Sequence, residues 1–425
     1  MDKFHIERSP SLSGRVRISG AKNAALPIIA AALLPDSPCR LKEIPALNDV
    51  KNLARIVECM GAEVEYKESS MTIDPRTLDC FEADPELASQ LRASYYILGV
   101  MLAREGRACT SLPGGCRIGS RPIDLHLKGF KALGAEVSIE EGCVEVWTEN
   151  GLTGGDIYLD YPSVGATINI MLAASRAEGK TTIENAAREP EIVDLANFLT
   201  VMGAEIKGVG TDVIRIEGVD EMQGVEHEII PDRIEAGTYI IAGALAGEDV
   251  FVENVLDEHL KPLLAKLREM GVELEQDISG VRVASPKKLR SVDVKTFPYP
   301  GFPTDLQAQM MVLLTQAESS SVVTETVWED RFSHIEELNK MGASIQLDDN
   351  SALINPSSLK GAEVTAPDLR AGAALMLAGL IAEGETIIDE VDHIRRGYEN
   401  IIEKISGLGG RIKQVRDRKN QVTTA

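Results

Sequence analysis

The sequence predicts an α/β protein of two domains, each built from three repeated α/β modules of about 70 residues. The first observation is a hydrophobic-Gly step from a helical to a strand pattern. It recurs at Met60-Gly61-Ala62-Glu63-Val64, Leu133-Gly134-Ala135-Glu136-Val137, Met202-Gly203-Ala204-Glu205-Ile206, Met270-Gly271-Val272-Glu273-Leu274, Met341-Gly342-Ala343-Ser344-Ile345 and Leu408-Gly409-Gly410-Arg411-Ile412. Its glycines stand 73, 69, 68, 71 and 67 residues apart. The second is an Ala/Leu-rich helical segment closed by an acidic-Gly turn, as in Ala103-Arg104-Glu105-Gly106, Arg176-Ala177-Glu178-Gly179 and Ile381-Ala382-Glu383-Gly384. The third is length. At roughly 100–200 residues per domain, 425 residues make two or three domains. Solenoid repeats are shorter, about 20–50 residues.

Each module reads the same way. Glu191 to Met202 sets Ile192, Leu195, Ala196, Leu199 and Met202 at helical spacing, and Gly203 suits a left-handed cap that stops the helix. Alternating strands follow, as in Val144-Glu145-Val146 and Ile214-Arg215-Ile216. A second helix is Ala-rich, as in Ala371 to Ala382. Gly20-Ala21-Lys22 and Ile230-Pro231-Asp232 fall between modules and carry the Gly or Pro of a crossing. Residues 1–21 with 231–425 are therefore expected to form one domain and 22–230 the other. The tail from Asp417 is polar and aperiodic, and is expected to fray.

Charge narrows the functional classes. Lys+Arg total 44 against 66 Asp+Glu, a net charge of −22. Nucleic-acid binding needs a basic footprint, so no nucleic-acid partner is expected. An anionic substrate must be held by local Arg and Lys groups. The start Met1-Asp2-Lys3-Phe4-His5 lacks a secretory pattern, and the apolar run Ala24 to Leu34 contains Pro27 and is too short to span a bilayer. A cytoplasmic chain without membrane insertion is expected. Cysteines 39, 59, 80, 109, 116 and 143 match no zinc spacing, so free thiols and no metal are expected. Cys59 and Cys143 lie beside apolar residues and read as buried core thiols.

Four features can carry chemistry. Leu112-Pro113-Gly114-Gly115-Cys116-Arg117-Ile118-Gly119-Ser120-Arg121-Pro122 reads as a loop. Cys116 there is either a surface thiol or a thiolate activated by Arg charge. Lys22 and Asn23 begin an apolar helix, where they either cap it in solvent or bind an anion. Asp305, in Gly301-Phe302-Pro303-Thr304-Asp305, starts another helix as a cap or a general base. Arg92, Arg121, Arg331, Arg370, Arg395 and Arg396 sit at element junctions. Singly each suits a salt bridge; together they would clamp a dianion.

These residues, with Gly119-Ser120-Arg121-Pro122-Ile123-Asp124-Leu125-His126, Pro162-Ser163-Val164-Gly165-Ala166-Thr167, Arg188-Glu189-Pro190-Glu191, Pro231-Asp232-Arg233-Ile234-Glu235 and Arg396-Gly397-Tyr398-Glu399, closely resemble the UDP-N-acetylglucosamine 1-carboxyvinyltransferase family from residue 1 to about 413. The resemblance implies two inside-out α/β domains of pseudo-threefold symmetry, with the active site in the cleft between them. It implies phosphoenolpyruvate and UDP-N-acetylglucosamine as substrates, no metal or cofactor, and a monomer or weak oligomer. By the same resemblance, Cys116 is the proton donor and Asp305 the base. Lys22, Arg121 and Arg396 hold phosphate and carboxylate, and Arg92 and Arg370 extend the anion pocket. Asn23, Asp124, Leu125, Ser163, Val164, Gly165, Thr304 and Val327 contact the nucleotide sugar, and Pro122, Ile123 and Arg331 are further substrate-binding residues.

The chain departs from the family pattern at three points. Arg395 replaces an Asp beside Arg396, Val327-Trp328-Glu329-Asp330-Arg331 replaces a Phe-Glu-Asn-Arg run, and Tyr161 stands where some members carry Lys. The shikimate-pathway enolpyruvyl transferases lack the Gly-Gly-Cys loop. A paralogue that binds the sugar without turnover would draw its support from Arg395.

Overall fold

The computed structural model describes residues 2–112 and 123–416. The segment with Cys116, Arg121 and Pro122, and the tail from Asp417, lie outside the described residues.

All six repeat glycines have positive φ, from +88° at Gly134, Gly342 and Gly409 to +124° at Gly203. A Cβ is costly in that conformation, so glycine lets each helix turn sharply into a strand. Each module has an interior helix, a strand, an outer helix and a hairpin. In the Gly61 module these are Lys22–Ala31, Cys39–Lys42, Asn48–Cys59, and Glu63–Lys67 with Ser70–Asp74. In the Gly271 module they are Arg233–Ala246, Gly247–Glu253, Lys261–Glu269, and Glu273–Asp277 with Gly280–Ala284.

The described residues form six sheets, one for each module. The sixth is completed from the far end of the chain. The strand Asp2–Glu7 lies between Glu385–Asp389 and Arg411–Arg416, with Phe4 opposite Ile388 and Ile6 opposite Ile412. The N-terminal strand thereby takes the hairpin place that Gly280–Ala284 fills in the Gly271 module.

Helices lie inside and sheets outside because of their patterning. Lys22–Ala31 buries every residue except Asn23, and Leu369–Ile381 is buried from Arg370 to Leu380. Helices apolar all round belong in a core. The outer helix Asn48–Cys59 buries one stripe, including Val50, Leu53, Ile56 and Val57. Few aromatics are available, and the interior helices approach through small residues instead. A Cβ on Gly99 would lie 2.4 Å from Asn169 Oδ1, which accepts from Gly99 N at 3.0 Å.

The chain divides into two compact units, one of 2–19 with 231–416 and one of 20–112 with 123–230 among the described residues. Each has its own apolar core. In the first, Asp232 N donates to Ser19 O at 2.9 Å; in the second, Ala21 N donates to Ile230 O at 2.7 Å. Among the described residues no helix is long and apolar enough to cross a membrane.

Two cysteine expectations are corrected. Cys59 is exposed and Cys143 half-buried. Cys59 falls beside the buried stripe that runs through Val57 to Met60. In Cys143–Trp147 the period of two turns Val144 and Val146 inward, which leaves Cys143 on the other face. Among the described cysteines Cys39 is the buried one, and burial pushes its thiol up to about 11.

Candidate active-site residues in each unit

Asp305 is the centre of the first unit's charged cluster. It lies in a 3₁₀ turn, Thr304–Leu306, that leads into the helix Gln307–Leu314. The capping reading fails: the N-cap residues are Pro303 and Leu306, and neither caps through a side chain. The carboxylate instead accepts from two arginines. Arg331 Nη2 bonds Oδ1, and Arg370 Nη2 bonds Oδ2 at 3.3 Å. Both arginine side chains are 5% exposed, against 29% for Asp305. Two buried guanidiniums thus share one partly open carboxylate, and each charge-assisted bond stabilises its negative charge.

A polar stack fixes Arg370 from behind. Asp368 caps its helix by accepting from Arg370 N at 2.8 Å and Ala371 N at 3.0 Å. The guanidinium sits 5.4 Å from the centre of the Tyr398 ring. Burial opposes its charge, but Tyr398, Asp305 and Asp232 outweigh that and raise its pKa. The Tyr398 hydroxyl meets Thr238 Oγ1 at 3.0 Å and accepts from Gln309 Nε2 at 3.1 Å. The strictly local motif Arg396-Gly397-Tyr398 therefore reaches Asp305 through Arg370.

Arg396 is half-buried at the C-cap of Asp392–Arg395. Its neighbour Arg395 turns elsewhere. Arg395 Nη1 donates to Asp2 Oδ2 at 3.2 Å and Asp392 Oδ1 at 3.0 Å, and its guanidinium lies 5.6 Å from the Phe4 ring centre. Two carboxylates balance the added charge.

Close to the crossing, Lys404 Nζ bonds Glu235 Oε1 and Ser19 Oγ, each at 2.7 Å, and Ser19 N bonds Glu235 Oε2 at 2.9 Å. Burial pushes the Glu235 carboxyl up to about 7 despite that lysine.

In the second unit Lys22 opens its helix, as expected, but the solvated reading is corrected. Lys22 is 7% exposed, and its Nζ stands 3.2 Å from Asp49 Oδ2, itself 6% exposed. Asn23, one step on, is exposed. Asp49 had no local mark in the sequence; it lies in the first turn of the outer helix Asn48–Cys59.

Arg92 begins the 3₁₀ turn Arg92–Tyr95, and Ser163, Val164 and Gly165 form the start of the helix Val164–Ala174. Ser163 Oγ caps it, accepting from Ala166 N at 3.3 Å. His126 brings these segments together. Its Nδ1 accepts from Asn169 Nδ2 at 2.9 Å, and its Nε2 lies 3.1 Å from where a Cβ on Gly165 would stand. Ile123 and Leu125 are buried beside it, with Asp124 exposed.

Burial, and next the charge of Arg92, depress His126 to about 3. A depressed histidine stabilises the fold above its unfolded pKa of about 6.5, and that stability is lost as pH falls toward 3. Thermal midpoints measured from pH 7 to 4 should fall less steeply in His126→Gln than in the wild type.

Among the described residues no group of three or more His, Cys, Asp or Glu is placed to hold a metal.

The family model that matches is EPSP synthase (3-phosphoshikimate 1-carboxyvinyltransferase), over residues 6–405. The UDP-N-acetylglucosamine 1-carboxyvinyltransferase of Halothermothrix orenii is 68% identical over 98% of this chain and 100% of its own length. This chain belongs to the UDP-N-acetylglucosamine 1-carboxyvinyltransferase family. A second family member, from Carboxydothermus hydrogenoformans, is 54% identical over 98% of this chain and 100% of its own.

Among solved structures, the enolpyruvyl transferase NikO from Streptomyces tendae superposes with a TM-score of 0.89 at 28% identity, covering 97% of this chain and 99% of that one. EPSP synthase from Acinetobacter baumannii shares the fold at 18% identity and a TM-score of 0.79, covering 98% and 100%. The fold expected from the family resemblance is thus the fold observed.

Proposed function

We propose that this chain transfers enolpyruvate from phosphoenolpyruvate to the 3′-hydroxyl of UDP-N-acetylglucosamine, with release of phosphate. The observation that carries this is the 68% identity, over nearly the whole chain, to a relative that bears that activity in its name. The chemistry is addition followed by elimination. The sugar oxygen bonds to the substituted enol carbon as a proton reaches the methylene carbon, giving a tetrahedral phospholactoyl intermediate. Loss of phosphate and of a methyl proton restores the double bond.

Asp305 takes the hydroxyl proton, and its contacts with Arg331 and Arg370 support that role by fixing the carboxylate. Cys116 delivers the proton to carbon. Lys22, Arg121 and Arg396 hold the phosphate and carboxylate and stabilise the charge that gathers in the intermediate. Arg92 widens the anion pocket. Asn23, Asp124, Leu125, Ser163, Val164, Gly165, Thr304 and Val327 bind the nucleotide sugar, with Ile123 a further substrate-binding residue. The product enters peptidoglycan synthesis in the cytoplasm, and through the cell wall the enzyme serves cell shape and division. The reaction calls for no metal or organic cofactor.

Phosphate release from phosphoenolpyruvate should require UDP-N-acetylglucosamine. Folded protein that releases none with both substrates present would overturn the proposal. An epoxide phosphonate such as fosfomycin should add its mass to the wild type and not to Cys116→Ser; equal addition to both would remove Cys116 from its role.

A further inference from the structure

We propose that Glu325 is a positioning residue that locks the nucleotide-sugar side of the site. It follows the strand Ser321–Thr324 and is 2% exposed. A carboxylate so buried is costly unless its lone pairs are filled. Here they are filled from three separate segments. Oε1 accepts from Thr296 Oγ1 at 2.7 Å, Val327 N at 2.8 Å and Trp328 N at 3.3 Å. Oε2 accepts from Thr304 Oγ1 at 2.9 Å. Thr304 immediately precedes Asp305, and Val327 lies four residues before Arg331.

One side chain therefore sets the segment that carries the base and the segment that carries its arginine partner. No salt bridge to Glu325 is present among the described residues, so hydrogen bonds from hydroxyls and backbone N–H groups carry its charge. The role also explains how Trp328 is accommodated. The backbone of 327 and 328 is held by the carboxylate, whatever the side chain there.

This rests on the proposed function, and the test separates the two. Glu325→Gln keeps the shape but replaces one acceptor oxygen by a donor, facing Thr304. In steady-state phosphate release the KM for UDP-N-acetylglucosamine should rise on the order of tenfold, the scale of a charged hydrogen bond. The KM for phosphoenolpyruvate should stay within about twofold.

Thr296→Val is a second variant, at a fully buried residue outside the proposed substrate contacts. It should raise the same KM to a smaller extent. Calorimetric titration with UDP-N-acetylglucosamine should show both losses directly as weaker Kd. If both folded variants bind the sugar as the wild type does, Glu325 has no positioning role. If their kcat and both KM values shift together, the role is structural only, and the proposal is again overturned. A wild type that neither binds the sugar nor releases phosphate overturns the proposed function, and this role with it.

Discussion

Replacing Asp305 by asparagine should lower kcat by about 10²–10⁴-fold, the usual contribution of a positioned general base, while leaving a folded protein. Asn keeps an acceptor oxygen for one of the two arginines but carries no charge and takes up no proton. Asp305→Ala should cost stability as well. It strips the shared carboxylate from Arg331 and Arg370, each with only 5% of its side chain exposed. Removing one partner of a fully buried pair costs roughly 3–5 kcal/mol. Asp305 is 29% exposed, so solvent softens the loss toward the lower end. The measurement is kcat and thermal midpoint for both variants. Near-normal turnover in Asp305→Asn would take the base role away from it. An unchanged midpoint in Asp305→Ala would show that the arginines have other counter-charges.

Much of the architecture was readable because its cause is local. A helix that must turn into a strand within two residues needs a positive φ, and glycine meets that need at Gly61 and its five equivalents. The interior helices were readable from being apolar all round. What escaped reading depends on distant partners. Asp2–Glu7 completes the last sheet against strands nearly four hundred positions away, and no feature of those six residues says so. Cys59 and Cys143 were misread because apolar neighbours in sequence are not neighbours in space. On a helix the stripe, and on a strand the parity, decides which side faces the core.

The site divides in the same way. Lys22 and Asp305 stood at readable helix starts, yet their dull readings, a solvated lysine and a helix cap, fail for a non-local reason. Asp305 finds its arginines 26 and 65 residues on, and Lys22 finds Asp49 27 residues on. Glu325 carried no motif at all. Its importance lies in what converges on it, from Thr296 and Thr304 upstream and two backbone N–H groups downstream.

Lys22→Met should lower kcat/KM for phosphoenolpyruvate by about 10²–10³-fold, the scale of losing one preorganised charge donor. Two causes could produce that loss, and their structural signatures differ. Lys22 pairs with Asp49 in a buried setting, so the substitution also deprives Asp49 of a cation at 3.2 Å and should lower the thermal midpoint. If the lysine served only to neutralise Asp49, then Lys22→Met with Asp49→Asn would restore both the midpoint and the turnover. If the lysine holds the substrate anion, the double variant regains stability without regaining turnover. We expect the second pattern. The helix start already offers N–H groups to an anion, and a cation among them strengthens the field where negative charge gathers. Asp49 then acts on the lysine in the free enzyme, holding its ammonium in place. Asp49→Asn alone should accordingly reduce kcat/KM far less than Lys22→Met does. Equal losses in the two single variants would mean that the pair, rather than the lysine, is the functional group.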